Sequence, residues 1–199
     1  MNSFVFDANS ARGASNASVR GVSQGEPADE AAKVRFPTME IRAAQEKDWP
    51  SIYRIFRDTV DAGTTYALPE RLSLEEARPF WMESPPALTV IAIDEGVVLG
   101  SAKMGPNRPG RGAHVATASF MVDATQQGRG VGTALGTYAL EWARSGGDLA
   151  MQFNAVVETN EAAVHLWTKL GFEILTTVPK AFRHSEFGLV GLHVMYQRF

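Results

Sequence analysis

The chain has 199 residues, 45% of them apolar, with no cysteine and a formal charge of −3. Length and apolar share suit one ordinary domain with a sizeable core. The missing cysteines exclude a disulfide framework, a thiolate metal site and a cysteine nucleophile, and the mild acidity gives no reason to expect nucleic acid or an anionic membrane as partner. No long uncharged apolar run and no basic-then-apolar leader occurs, so a soluble, cytoplasmic protein is expected. The four histidines (His114, His165, His184, His193) show no metal spacing, and no metal is expected.

Residues 1–37 are rich in Ala, Ser, Asn, Gly and Asp, and no apolar period develops there. Such a segment cannot offset its ordering entropy by burial, so disorder is expected, ahead of one domain over 38–199. Met39 to Ala43 alternates as a short strand. Asp48 is placed to cap a helix whose face carries Ile52, Ile55, Phe56 and Thr59. A loop with Thr64, Thr65 and Tyr66 leads to Ser73 and Glu76, a capping-box pair for a second helix that bears Phe80 and Trp81 and is strained by Pro79. Leu88 to Asp94 and Val97 to Met104 read as a hairpin across Glu95-Gly96. The loop Pro106 to Gly112 leads to a fourth strand, Val115 to Val122.

That strand ends in a glycine-rich turn, and from Val131 the apolar positions (Val131, Ala134, Leu135, Tyr138, Ala139, Trp142) switch to helical spacing. Strand, glycine loop and helix make an anion site. The first amides of a helix lack partners, and the dipole adds about half a positive charge there. Glycines at 128, 130 and 132 allow the main chain close approach to a pyrophosphate. No lysine ends the loop, which argues against an NTPase. Thr133 stands where a dinucleotide fingerprint needs its third glycine. The pattern met is Gln/Arg-x-x-Gly-x-Gly, by Gln127, Gly130 and Gly132.

One strand later comes Asn160-Glu161-Ala162-Ala163-Val164-His165-Leu166-Trp167-Thr168-Lys169-Leu170-Gly171-Phe172. Asn160 is a good N-cap; Ala163, Leu166, Trp167 and Leu170 form one stripe; and Gly171 suits a left-handed C-cap. With these two motifs the chain resembles the GNAT superfamily of acetyl-CoA-dependent N-acetyltransferases over residues 39–199, and loosely its amino-acid and phosphinothricin branch through Thr64-Thr65-Tyr66. The resemblance implies an α/β (α+β) GNAT fold. Its mixed central sheet has about six or seven strands, helices lie on both faces, and the fourth and fifth strands splay apart.

The resemblance also implies roles. The main chain of Gly128, Arg129, Gly130, Val131, Gly132 and Thr133 would hold the pyrophosphate of coenzyme A, with Gln127 shaping the loop. Met121 and Val122 would pair with the pantetheine arm, and Asn160, Ala163 and Trp167 would meet it. Phe56, Tyr66 and Trp81 would wall the acceptor site, though each taken singly reads more readily as a core aromatic. Leu149 to Val157 is a central strand that carries Asn154. Its alternation places Gln152, Asn154 and Val156 on one face and Met151, Phe153 and Ala155 on the other. The Asn154 amide is either catalytic beside the thioester or ties down a neighbouring loop.

A strand over Phe172 to Val178, a basic connection Pro179 to Gly188 that often touches the acceptor in this superfamily, and a strand Leu189 to Phe199 complete the chain. The glutamate some relatives carry on the fourth strand is replaced by Thr117 and Ser119. A tyrosine proposed as proton donor is replaced by Trp167, whose indole is no practical acid. The implied activity is acetyl transfer from acetyl-CoA to a small amine, an amino acid or analogue, by direct attack, with a base acting through water or no dedicated base. Acetylation of a protein N-terminus and a non-catalytic acyl-CoA-binding module are the alternatives, and a homodimer is left open.

Overall fold

The computed structural model describes residues 34–36 and 39–199. The seven expected strands form one mixed sheet, joined at its edge by a further strand, β1 (Val34–Phe36), which pairs antiparallel with β2 (Met39–Ala43). Apart from β1, the segment expected to be disordered lies outside the described residues. The remaining strands are β3 (Leu88–Asp94), β4 (Val97–Pro106), β5 (Val115–Val122), β6 (Ala150–Val157), β7 (Glu173–His184) and β8 (Gly188–Arg198). Their order is β1-β2-β3-β4-β5-β6-β8-β7, and every neighbouring pair is antiparallel except β5–β6.

Helices α1 (Trp49–Asp61) and α2 (Leu74–Trp81) cover one face; α3 (Val131–Ser145) and α4 (Glu161–Lys169) cover the other. Strand alternation sorts the cores. Ile91, Val98 and Met121 pack under Ile52, Ile55, Phe56 and Trp81, whereas Val90, Leu99 and Met151 pack under Leu135, Ala139 and Trp167. The Ser73–Glu76 capping box forms, and so does the tight turn at Glu95-Gly96, with φ of 47° and 81°.

Two expectations change in detail. Asp48 precedes α1, but its side chain makes no cap bond. It accepts instead from both Arg42 guanidinium nitrogens (2.7 and 3.0 Å) and from the Gln45 amide (2.8 Å), tying the end of β2 to the start of α1. The basic connection is also not a loop. β7 runs on through Pro179 to His184, absorbs two extra residues between Val178 and Phe182 with Lys180 at φ 55°, and turns tightly into β8. At the hairpin tip Ser185 donates from its amide to the Gly63 carbonyl (3.0 Å) and from its hydroxyl to the Ala62 carbonyl (2.9 Å), so the tip touches the end of α1.

The Arg42 guanidinium beside Asp48 holds that carboxyl below the usual carboxylate range, against the opposing effect of burial. A depressed folded pKa contributes stability that is fully present above the unfolded value, ~3.9, and is lost as pH falls through the folded value. Asp48→Asn should therefore cost roughly 1–3 kcal/mol near neutrality. Melting curves across pH should show the gap between variant and parent closing below about pH 4; a gap that persists in acid would assign the effect to packing.

Candidate functional site

The loop after β5 is fastened before it is exposed. Asp123, 6% exposed, accepts from the Thr125 amide (2.9 Å) and hydroxyl (2.7 Å) and from the Arg54 guanidinium of α1. Burial pushes its pKa up, but Arg54 and Thr125 outweigh that and hold it below the usual range. A short 3-10 turn (Ala124–Gln126) and exposed Gln127 follow. Gly128 and Gly130 then take φ of 78° and 76°, and a methyl group at either would point into open space. The first helical bond of α3 runs from the Ala134 amide to the Gly130 carbonyl, so the amides of Val131, Gly132 and Thr133 precede the ladder. Arg129 is spent on Gln126 Oε1 (2.7 Å) and Asp94 (2.6 Å), so it frames the loop rather than projecting from it.

Gly132 departs from expectation. A Cβ there would sit 3.2 Å from a Leu166 methyl, and one at Gly136 would sit 2.7 Å from Leu170 and 3.0 Å from Trp167. These two glycines, one turn apart, let α4 settle against α3. Gly132 thus serves helix packing, and within this loop a Cβ would meet open space at Gly128 and Gly130.

β5 and β6 pair only at Val115–Ala150 and Ala116–Met151, then diverge. The gap opens into a cleft of ≈330 Å³ walled by the α1–α2 loop, both strands and α4. Phe120, Phe153 and Trp167 meet at its back, with ring centroids 4.6 to 5.8 Å apart. Tyr66 enters from the α1–α2 side. Its hydroxyl donates to the Phe120 carbonyl (2.7 Å) and accepts from the Phe120 amide (2.9 Å), filling the place of a missing strand neighbour. Burial of that hydroxyl raises its pKa, although the residue as a whole is only half-buried.

Asn154 lines the cleft, but not by simple alternation. One extra residue lies between Phe153 and Val156 opposite β8 (Phe153–Met195, then Val156–His193), a bulge that leaves Asn154 and Ala155 exposed and turns Val156 into the core face. The Asn154 amide donates to Asn107 Oδ1 (2.7 Å) on the β4–β5 loop and accepts from Gln152 Nε2 (2.8 Å). It is not a buried group, and its tie to a loop is real.

Of the three acceptor-wall aromatics, only Tyr66 lines the cleft. Phe56 and Trp81, each 1% exposed, lie in the core beneath it, and Trp81 donates to Ser101 Oγ (2.9 Å). Asn160 accepts from the Ala163 amide (3.1 Å), capping α4, and with Ala163 and Trp167 reaches the cleft. The Met121 and Val131 side chains are core, so at these two positions only the main chain is on offer; Val122 is half-buried and Thr133 is exposed. Sequence reasoning missed Phe120, Phe153 and Asn107; nothing in the Pro/Gly/Arg-rich loop marks Asn107 as a partner of Asn154. Among the described residues no group of three His, Asp or Glu could hold a metal, and no helix is long and apolar enough to cross a membrane.

Comparison with known proteins decides the lineage. The model of the Acetyltransferase (GNAT) family matches residues 49–172. The chain belongs to that family. Among solved structures, a GCN5-related N-acetyltransferase from Kribbella flavida is 52% identical with a TM-score of 0.79, covering 81% of this chain and 98% of that one. The phosphinothricin acetyltransferase from Sinorhizobium meliloti, solved in complex with AcCoA, is 21% identical with a TM-score of 0.73, covering 81% and 89%, and shares the fold. Among curated relatives, N-acetyltransferase aca1 of Schizosaccharomyces pombe is 29% identical over 128 residues, 57% of this chain. The chain spans 61% of that relative's length.

Proposed function

We propose that this GNAT-family chain transfers the acetyl group of acetyl-CoA to the amino group of a small molecule, an amino acid or analogue, by direct attack. One juxtaposition carries this reading: the open glycine turn at the α3 N-terminus lies beside the strand gap that widens into the cleft. The residues present fit the donor. A pyrophosphate needs unpaired amides and no intruding side chain, and the turn from Gly128 to Thr133 supplies both. The diverging edge of β5 near Met121 and Val122 suits an arm that adds like a strand. When bound, acetyl-CoA supplies an activated acyl carbon.

The protein's part is positioning. Asn160 fixes the start of α4 at the cleft wall. Tyr66 holds the Phe120 main chain in place, and the Phe120–Phe153–Trp167 cluster excludes water from the back. Asn154 retains one amide hydrogen beyond the one given to Asn107. A donor preorganised where charge develops on a carbonyl oxygen is worth about 10²–10³ in rate. The measurement for the whole reading is release of free thiol from acetyl-CoA across a panel of amines; binding without release from any of them leaves an acyl-CoA-binding module.

Two predictions test the site. Gly130→Ala should weaken acetyl-CoA binding at least tenfold by calorimetry. Gly147→Ala is a matched control: its φ is 83° and it too faces open space, at the far end of α3. Both should lose about 1–2 kcal/mol of stability from the left-handed backbone, and equal binding by the two would remove the pyrophosphate from the loop. Asn154→Ala should lower kcat by about 10²–10³ with little change in acetyl-CoA affinity, whereas Trp167→Phe should lower Tm with kcat nearly kept. Asn107→Ala, which cuts the loop tie alone, separates the roles: a loss matching that of Asn154→Ala would make Asn154 a loop anchor.

A further inference from the structure

Among the described residues, the cleft between β5 and β6 is lined by no carboxylate, imidazole, ammonium or guanidinium. Its polar side chains are hydroxyls and amides: Thr65, Tyr66, Thr117, Ser119, Asn154 and Asn160. Tyr66 is the single ionisable member, and its hydroxyl is committed as donor and as acceptor to the Phe120 main chain. The charged groups behind each wall are engaged or turned away. Past the end of β6, the Glu158 carboxylate accepts from the Gly191 amide. On β8, His193 Nδ1 pairs with Thr177 Oγ1 (2.8 Å), and at the hairpin tip His184 Nδ1 accepts from the Glu186 amide (3.1 Å). At the foot of β5, Asp123 is held by Arg54 and Thr125. Glu70 on the α1–α2 loop and Glu161 and His165 on α4 are exposed and do not line the cleft.

An ammonium taken into such a site leaves its hydration without gaining a counter-charge, which is strongly unfavourable. A bound ammonium would also find no side chain ready to take its proton. A carboxylate on the acceptor would meet no cation. We infer that the acceptor is a weakly basic amine that enters the cleft as the neutral base and carries no charged appendage: an amino-acid amide, a hydrazine or an arylamine rather than an alkylamine. This rests on the acetyl-transfer reading above and sets aside a free amino acid as the acceptor. The nitrogen lone pair forms the new C–N bond at the thioester carbonyl, and the C–S bond breaks with its electron pair going to sulfur. The surplus proton on nitrogen passes through solvent to that sulfur, giving an amide and a free thiol.

The chemistry favours weak bases by simple population. At pH 7 about one molecule in ten of an amine with pKa ~8 is neutral, against about one in 2,500 for a lysine-like amine near ~10.4, a ratio of roughly 200. With no base to level that difference, it passes directly into kcat/KM.

The test is the pH dependence of kcat and kcat/KM between pH 6 and 10, read as thiol release, with glycinamide, phenylhydrazine, glycine and n-butylamine as acceptors. The expected result is a kcat nearly independent of pH and a kcat/KM that rises tenfold per pH unit until each amine's own pKa. At pH 7 glycinamide should exceed both glycine and n-butylamine by tenfold or more. Tyr66→Phe should leave the shape of these profiles unchanged, whatever it does to their height. An ascending limb at one pH for every acceptor, its loss in Tyr66→Phe, or a preference for n-butylamine at pH 7 would overturn the inference while leaving acetyl transfer intact. No thiol release from any acceptor at any pH would overturn the acetyl-transfer reading, and this inference with it.

Discussion

The structure turns on a sheet that comes apart in its middle. After two ladder pairs β5 and β6 separate, so an edge appears where a sheet covered on both faces ordinarily has none. Main-chain groups at such an edge must be satisfied or left to a ligand. The protein answers locally: one tyrosine hydroxyl meets both polar groups of Phe120, while three aromatic rings fill the wedge behind. The bulge at Asn154 and Ala155 follows from the same separation. Without a partner on its β5 side, β6 can admit an extra residue and still keep its register with β8 on either side of it.

A gap of this kind is useful only if its walls hold still. α1 is joined to the turn after β5 by Arg54 and Asp123, a pair whose carboxylate also accepts twice from Thr125. α4 is seated on α3 at Gly132 and Gly136. The α1–α2 loop is held at its start by Ser185 of the β7–β8 hairpin and, further on, by Tyr66. These contacts tie the helices and loops around the gap to one another and to the sheet, so the cleft is built on rigid parts rather than on free loops.

Much of this was legible in the sequence where local chemistry decides. The capping box at Ser73, the Asn160 cap and the left-handed Gly171 (φ 97°) are set by neighbours within a few residues, and all three formed. The strand–glycine–helix unit was readable for the same reason. What could not be read depends on contacts distant in sequence. Phe56 and Trp81 look identical to cleft aromatics until the sheet behind them is known, and Trp81 proves to be anchored by Ser101 twenty residues on. Asn107 and Asn154 are 47 residues apart and meet only because the β4–β5 loop folds over the gap. The basic run Pro179 to His184 carries a proline that argues for a turn, yet at a sheet edge proline is tolerated, and the strand passes through it.

Thr117 and Ser119 stand where some relatives place a glutamate, and Trp167 where many place a tyrosine. A carboxylate in this cleft would need a compensating charge, and its lining offers none. At 167 the aromatic side chain packs against Phe120, Phe153 and Phe172, with ring centroids 4.6 to 6.3 Å away. The indole, 7% exposed, fills that space, its edge resting where Gly136 has no side chain. The missing carboxylate leaves a cleft whose lining, among the described residues, is polar but uncharged. On the proposed acetyl-transfer reading, such a lining would act by orientation rather than by proton transfer, the task for which hydroxyls and amides on rigid strands are suited.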